Sequence, residues 1–212
     1  MTAKPGGGRG ELDRLVARIG RCRACIDQPT GAPLPHEPRP VLRVSPTARV
    51  VIAGQAPGTL VHRTGLPFND PSGDRLRDWM GIDRDTFYDR TRIAIVPMGF
   101  CFPGQDHRGA DLPPRRECAP LWREQVFGLL PSVELLLTIG QYAHAWHLGE
   151  RRRGNLTDTV RDWRALWECS GNPRILPMPH PSWRNNAWLR RNPWFDGELV
   201  PHLRKEVARL VR

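Results

Sequence analysis

The chain has 212 residues, enough for one domain whose core stands without disulfide or metal staples. No stretch approaches the roughly 18 apolar residues of a membrane span, which excludes a helical membrane protein. Lys and Arg number 32 against 22 Asp and Glu, and the resulting +10 suits a polyanionic partner such as nucleic acid. All of these cations except Lys4 and Lys205 are arginine, a bias that a G+C-rich coding sequence also produces.

Residues 1–10, MTAKPGGGRG, carry glycine and charge but no apolar segment. They read as a disordered tail without a secretion signal, leaving 11–212 as a single domain of a soluble, cytoplasmic monomer. Leu12, Leu15, Val16 and Ile19 recur at helical spacing over 11–21. A proline-rich connector over 29–40 leads to the first strand at 49–53. Further strands are predicted at 93–96, 134–139 and 174–178. Helices are predicted at 74–80, 116–129, 141–148, 157–167 and 197–211, and 103–114 reads as an irregular surface loop. Strands alternating with helices mean crossover connections, hence an α/β fold with a mainly parallel sheet covered on both faces.

Two polar motifs closely follow strands in this reading. Gly54-Gln55-Ala56-Pro57-Gly58 follows Val50-Val51-Ile52-Ala53, and His180-Pro181-Ser182 comes just after the run ending at Met178. Ligands of open parallel sheets bind outside the carboxyl ends of the strands, so the two turns are expected to face one pocket. The cysteines form a second pattern. Cys22 and Cys25 have C-x-x-C spacing, while Cys101 and Cys118 form a wider pair. Four thiolates suit a [4Fe–4S] cluster or zinc, and reduced thiols sharing no ligand are the alternative. A centre there would be structural, tying the N-terminal helix to the loop after the second strand.

Taken together, these pieces resemble the uracil-DNA glycosylase superfamily, in particular its type-4 and type-5 bacterial and archaeal branches. The first motif is close to the G-E-A-P-G of type 4. His62-Arg-Thr-Gly with Phe68 and Asp70-Pro-Ser-Gly-Asp74 is similar to the N-R-T-G…F…D-x-S-G-D of type 5, and His180-Pro-Ser-Trp-Arg-Asn185 to its H-P-S-x-x-N. The cysteine spacing resembles the cluster-binding pattern of both branches. The resemblance implies an α/β/α sandwich around a four-stranded parallel sheet, acting on DNA that contains uracil or other deaminated bases. Such a protein hydrolyses the N-glycosidic bond and leaves an abasic site for base excision repair.

The implied roles make chemical sense. A base inside a duplex must be flipped out before any side chain reaches it. Phe68 is placed to stack on the flipped ring, unless it is a core residue. Gly54, Gln55 and Ala56 would present backbone N–H groups to a base carbonyl. His180 would donate to the base oxygen as negative charge develops there. His62 sits between the first motif and Phe68, within reach of DNA. Asp70, ahead of Asp74, is expected to position the attacking water, with Asp74 capping the following helix. Ser182 completes the second motif, and Arg184, Asn185, Leu189 and Arg190 belong to a segment expected to wedge into the duplex and meet phosphates. A tryptophan-rich packing loop is the competing reading of that segment.

Two departures from the family pattern stand out. Ala56 occupies the place where the best-known branch carries a carboxylate, and Pro97 replaces an asparagine that reads the uracil edge. Asn69 offers a substitute amide. The losses also allow a second reading, a non-catalytic binder of damaged bases.

Overall fold

The computed structural model describes residues 7–212, with side chains from residue 9 onward. The first helix, α1 (Gly7–Gly20), starts within the stretch read as a tail, and residues 1–6 lie outside the described residues. In chain order follow α2 (Ala24–Asp27), β1 (Val50–Ala53), α3 (Thr59–Thr64), α4 (Pro71–Met80), α5 (Arg84–Tyr88), β2 (Ile93–Ile95) and α6 (Cys118–Gly128). Then come β3 (Leu135–Ile139), α7 (Gln141–Leu148), α8 (Leu156–Arg161), α9 (Trp163–Cys169), β4 (Arg174–Met178), α10 (Asn186–Arg191) and α11 (Val200–Leu210).

The four strands form one all-parallel sheet in the order β2-β1-β3-β4. Side chains alternate between its faces because successive strand residues point opposite ways. Val50 and Ile52 pack with α4, α11 and Trp163 on one side. Val51 and Ala53 pack with α1, α6 and α7 on the other. Both faces are therefore dry, as parallel sheets require, and the α/β/α sandwich expected from the alternation of elements is present. Pro177, which has no N–H to give a ladder, sits on β4 at the sheet edge.

All four strands lie where expected, within a residue of each predicted end. The helices differ more. The stretch 157–167 is two helices, α8 and α9, and Asn155 caps the first by accepting from the Asp158 N–H. α3, α5 and α10 have too few buried residues to show a helical period. The stretch 103–114 is a tight hairpin rather than an irregular loop. Gln105 and Asp111 pair across it, Leu112 N–H donates to Gly104 O, and Gly109 turns the tip at φ +75°. Among the described residues no helix is long and apolar enough to cross a membrane.

The strand order reverses direction between β1 and β3, which is where open sheets of this kind hold their ligands. Gly140 ends β3 and opens α7 at once, so no long loop crowds that point.

On α7, His144 is buried and its Nε2 donates to Thr138 O at 2.9 Å. Burial pushes its pKa down to about 4, whereas an unfolded chain holds the proton up to about 6.5. Burial and the neighbouring Arg123 push His147 down further, to about 3. The unfolded state therefore binds more protons across this window, so stability falls as pH drops from 6.5 toward 4. At about 1.4 kcal/mol for each pH unit, His144 alone costs about 3 kcal/mol by pH 4. Urea unfolding at pH 7 and pH 4.5 should show this loss, and His144→Gln should reduce it, leaving the share that His147 contributes. Equal slopes in the two proteins would remove His144 as a cause.

Candidate active site

The Gly54–Gly58 turn and His180 open onto the same cleft, of about 560 Å³, at the carboxyl ends of the strands. Phe68, Asp70, Pro97 and Asp111 also line it. It widens into a groove of about 1430 Å³ bordered by Ser182, Trp183, Arg184 and Asn185. The turn after β1 is held by the chain after β2: Met98 N–H donates to Gly54 O and Gly99 N–H to Gln55 O. Among the described residues, the Gln55 and Ala56 N–H groups donate to no backbone acceptor outside the regular elements and to no side chain. Both residues line the cleft.

His180 has one defined tautomer. The Ser182 N–H donates to Nδ1 at 3.2 Å, so the proton of the neutral ring is on Nε2. Burial lowers its pKa, with Asp70 and Asp111 pulling the other way. At neutral pH the ring is an uncharged donor. Its backbone is braced too, because Asn185 Nδ2 donates to His180 O at 2.7 Å. Arg75 reaches from α4 to the Ser182 carbonyl at 3.1 Å, locking the turn after β4 against that helix. Ser182 and Asn185 thus shape His180.

Phe68 is half-buried and holds a left-handed backbone at φ +54°, a conformation disfavoured for a bulky residue. Its carbonyl accepts from Tyr88 Oη at 3.1 Å and Arg77 Nη1 at 3.3 Å. Gly73 packs beneath it so tightly that a Cβ there would lie 2.7 Å from the Phe68 carbonyl carbon and nearer still to the oxygen. A Cβ on Gly54 would sit 3.2 Å from the ring edge of Phe68, so glycine there admits the ring against the first motif. The ring rests edge-on against Phe87 at 6.1 Å. Phe68 is part of the cleft wall as well as packed on the core.

The acidic residues divide differently from expectation. Asp70, not Asp74, caps α4: its Oδ1 accepts from the N–H groups of Ser72 and Gly73 and from Ser72 Oγ. Pro71 in the first helical turn fixes that start. Asp74 lies outside the cleft and pairs with Arg77 at 2.6 Å. Asn69 accepts from Arg84 at 3.0 Å and does not line the cleft, so it does not replace the missing amide. His62 is tucked against His36, at 4.3 Å between ring centroids, and lines neither the cleft nor the groove.

Within the segment expected to meet DNA, Leu189 and Trp188 pack on the core, and Trp188 donates to Thr157 Oγ1 at 2.7 Å. The groove wall is instead Trp183, 71% exposed, with the Arg184 guanidinium 5.8 Å from its ring. Arg190 is exposed on α10 and does not border the groove. Asp111 enters the cleft from the 103–114 hairpin, which carries no hydrophobic period to mark it in the sequence. The turn chemistry of Asp106 and Gly109 was the available signal.

The four cysteines line one small cavity with Ile19, Phe100 and Trp122 around them. Burial pushes Cys101 and Cys118 up to about 12 as thiols, and the Phe100 N–H donates to Cys118 Sγ at 3.2 Å. Cys25 is raised as well, by burial first and then by Glu117. Among the described residues, no three His, Cys, Asp or Glu side chains are grouped to hold a single metal ion. Cys169 is exposed on α9, apart from this cavity.

A parallel-sheet α/β protein with a polar cleft at its topological switch point, opening to a wide groove, is the class this fold and site define. The family model described as UDG, Uracil DNA glycosylase superfamily, matches residues 43–204, and the chain belongs to that superfamily.

Proposed function

We propose that this protein is a monofunctional uracil-DNA glycosylase of the type-4/type-5 kind. It flips uracil, and other deaminated bases, from DNA and hydrolyses the N-glycosidic bond to leave an abasic site. The observation that carries this reading is the convergence of the first-motif turn, Phe68 and His180 on a single cleft that opens into a groove.

The flipped ring lies against Phe68, with a carbonyl oxygen facing the free N–H groups of Gln55 and Ala56. As the C1′–N bond lengthens, its electron pair moves into the base, and His180 Nε2–H donates to the oxygen that gathers the charge. A neutral imidazole is suited to this because its donor is already oriented by Ser182 and needs no proton from solvent. The sugar becomes positive in the same step, and the Asp70 carboxylate beside His180 offsets that charge. Trp183 fills the gap left in the stack, and Arg184 meets the adjacent phosphate. Pro97 contributes an apolar wall instead of an amide, so discrimination rests on shape and on the first-motif N–H groups more than on the uracil edge.

Cys22, Cys25, Cys101 and Cys118 hold a [4Fe–4S] cluster in this reading. Four cysteines lining one cavity supply the thiolate set that such a cluster takes. The bound cluster would supply a rigid tie between α2 and the two roots of the 103–114 hairpin. Protein purified without oxygen should be brown and contain about four irons per chain. A colourless zinc protein would overturn the assignment.

The function itself is tested with a uracil-containing oligonucleotide followed by alkali. Strand scission at the uracil supports the glycosylase. Tight retention of uracil-DNA without scission would instead favour the non-catalytic binder that Ala56 and Pro97 leave open.

A further inference from the structure

Only two carboxylates line the cleft among the described residues, Asp70 and Asp111. Asp70 spends Oδ1 on three donors at the start of α4. Asp111 comes from the 103–114 hairpin, and only its Oδ1 is engaged, by Gln105 Nε2 at 3.1 Å. Its Oδ2 lies 3.2 Å from the position a Cβ on Gly58 would take, which puts that oxygen directly over the first motif. The motif's third place is Ala56, where the best-known branch of the superfamily carries its carboxylate. Asp111 thus brings a carboxylate from a different segment to the Gly58 end of the same motif, in the cleft that Ala56 also lines.

A second observation points the same way. On the glycosylase reading the groove receives DNA, and an exposed anion on its rim would weaken that binding. Its electrostatic influence also reaches His180, on the cleft's other motif. The cost to DNA binding has a physical use if the carboxylate meets something other than phosphate.

We infer that Asp111 is the catalytic residue that positions and deprotonates the attacking water, with Gln105 holding its carboxylate in place. The inference rests on the glycosylase reading above. The water oxygen bonds to C1′ as the C1′–N bond breaks, the bonding pair leaves with the base, and the water proton passes to Asp111 Oδ2. That proton is then released to the departed base through solvent, so the products are the free base and an abasic sugar, and the carboxylate is restored. The division of labour is then plain: His180 serves the leaving group, and Asp111 serves the nucleophile.

The experiment is single-turnover excision on a uracil-containing duplex, with DNA affinity measured in parallel. Asp111→Asn keeps an acceptor for Gln105 but removes the base, and should slow excision by about 10²-fold or more. The same variant should bind DNA equally or more tightly, because a negative charge has left the groove, which simple damage to the hairpin would not produce. Asp111→Ala should recover part of its rate in added formate, a small carboxylate able to take the same proton. Gln105→Ala should lose about tenfold. An Asp111→Asn protein as fast as wild type would overturn the inference while leaving the glycosylase reading intact. So would slow excision with weakened DNA binding and no recovery in formate. If wild-type protein releases no uracil, the glycosylase reading fails first and this assignment goes with it.

Discussion

On the glycosylase reading proposed above, replacing His180 with alanine should slow uracil excision by about 10²–10³-fold while leaving DNA binding and unfolding midpoint almost unchanged. That magnitude is what loss of one preoriented donor to a developing oxyanion costs. The loss belongs in the bond-breaking rate rather than in substrate affinity, because the hydrogen bond strengthens only as charge arrives. His180→Gln retains an N–H donor on a flexible chain without the Ser182 N–H to aim it, and should recover a fraction of the rate. The pH dependence has a defined sign. With its pKa held low by burial, His180 stays neutral throughout the neutral range, so its contribution to the rate should be constant there and change only in acid. In acid the cation needs a donor on Nδ1, facing the Ser182 N–H, and that contact turns repulsive. Single-turnover rates of the two variants against wild type, with circular dichroism as the folding control, decide the matter. Undiminished excision by His180→Ala would remove the residue from the mechanism.

Gly73→Ala provides the second large effect, and here local and tertiary physics predict opposite signs. Glycine inside a helix is about 1 kcal/mol worse than alanine, so propensity alone predicts that the substitution stabilises α4. The fold predicts the reverse. The new methyl would overlap the Phe68 carbonyl, a backbone group fixed by Tyr88 and Arg77 and unable to swing aside. Either α4 or the Phe68 segment must move, at a cost of roughly 1–3 kcal/mol or more. In a protein of this size that lowers the melting temperature by about 2–12 °C. Excision should suffer beyond the stability loss, since the Phe68 ring moves with its backbone. A melting temperature equal to or above wild type would show that the clamp on Phe68 is absent.

Much of the fold is legible in the sequence. Each strand is a short apolar run closed by glycine or proline, and burial on both faces explains why no polar alternation interrupts it. The turns at Gly54 and His180 were legible because they sit at strand ends, where local chemistry and sheet topology act together. The cysteine pairs were legible as spacing, and the structure brings them to one cavity. The short helices α3, α5 and α10 left little trace because each buries at most one side chain.

The assignments that changed all concern which distant group a side chain meets. Asp70 and Asp74 are equivalent as letters four positions apart, and only the start of α4 at Pro71 makes one the cap and turns the other toward Arg77. Leu189 and Trp183 are both bulky residues of one segment, yet packing against the core takes the first and leaves the second at the groove. Asn69 belongs to Arg84, and Asp111 belongs to the cleft, for the same reason. Periodicity and turn chemistry are short-range, so the chain by itself determined the parallel sheet, its two dry faces and the two motifs at the strand ends. The meeting of side chains from segments far apart depends on how those layers pack, and tertiary structure alone decided which carboxylate, which aromatic and which amide face the cleft.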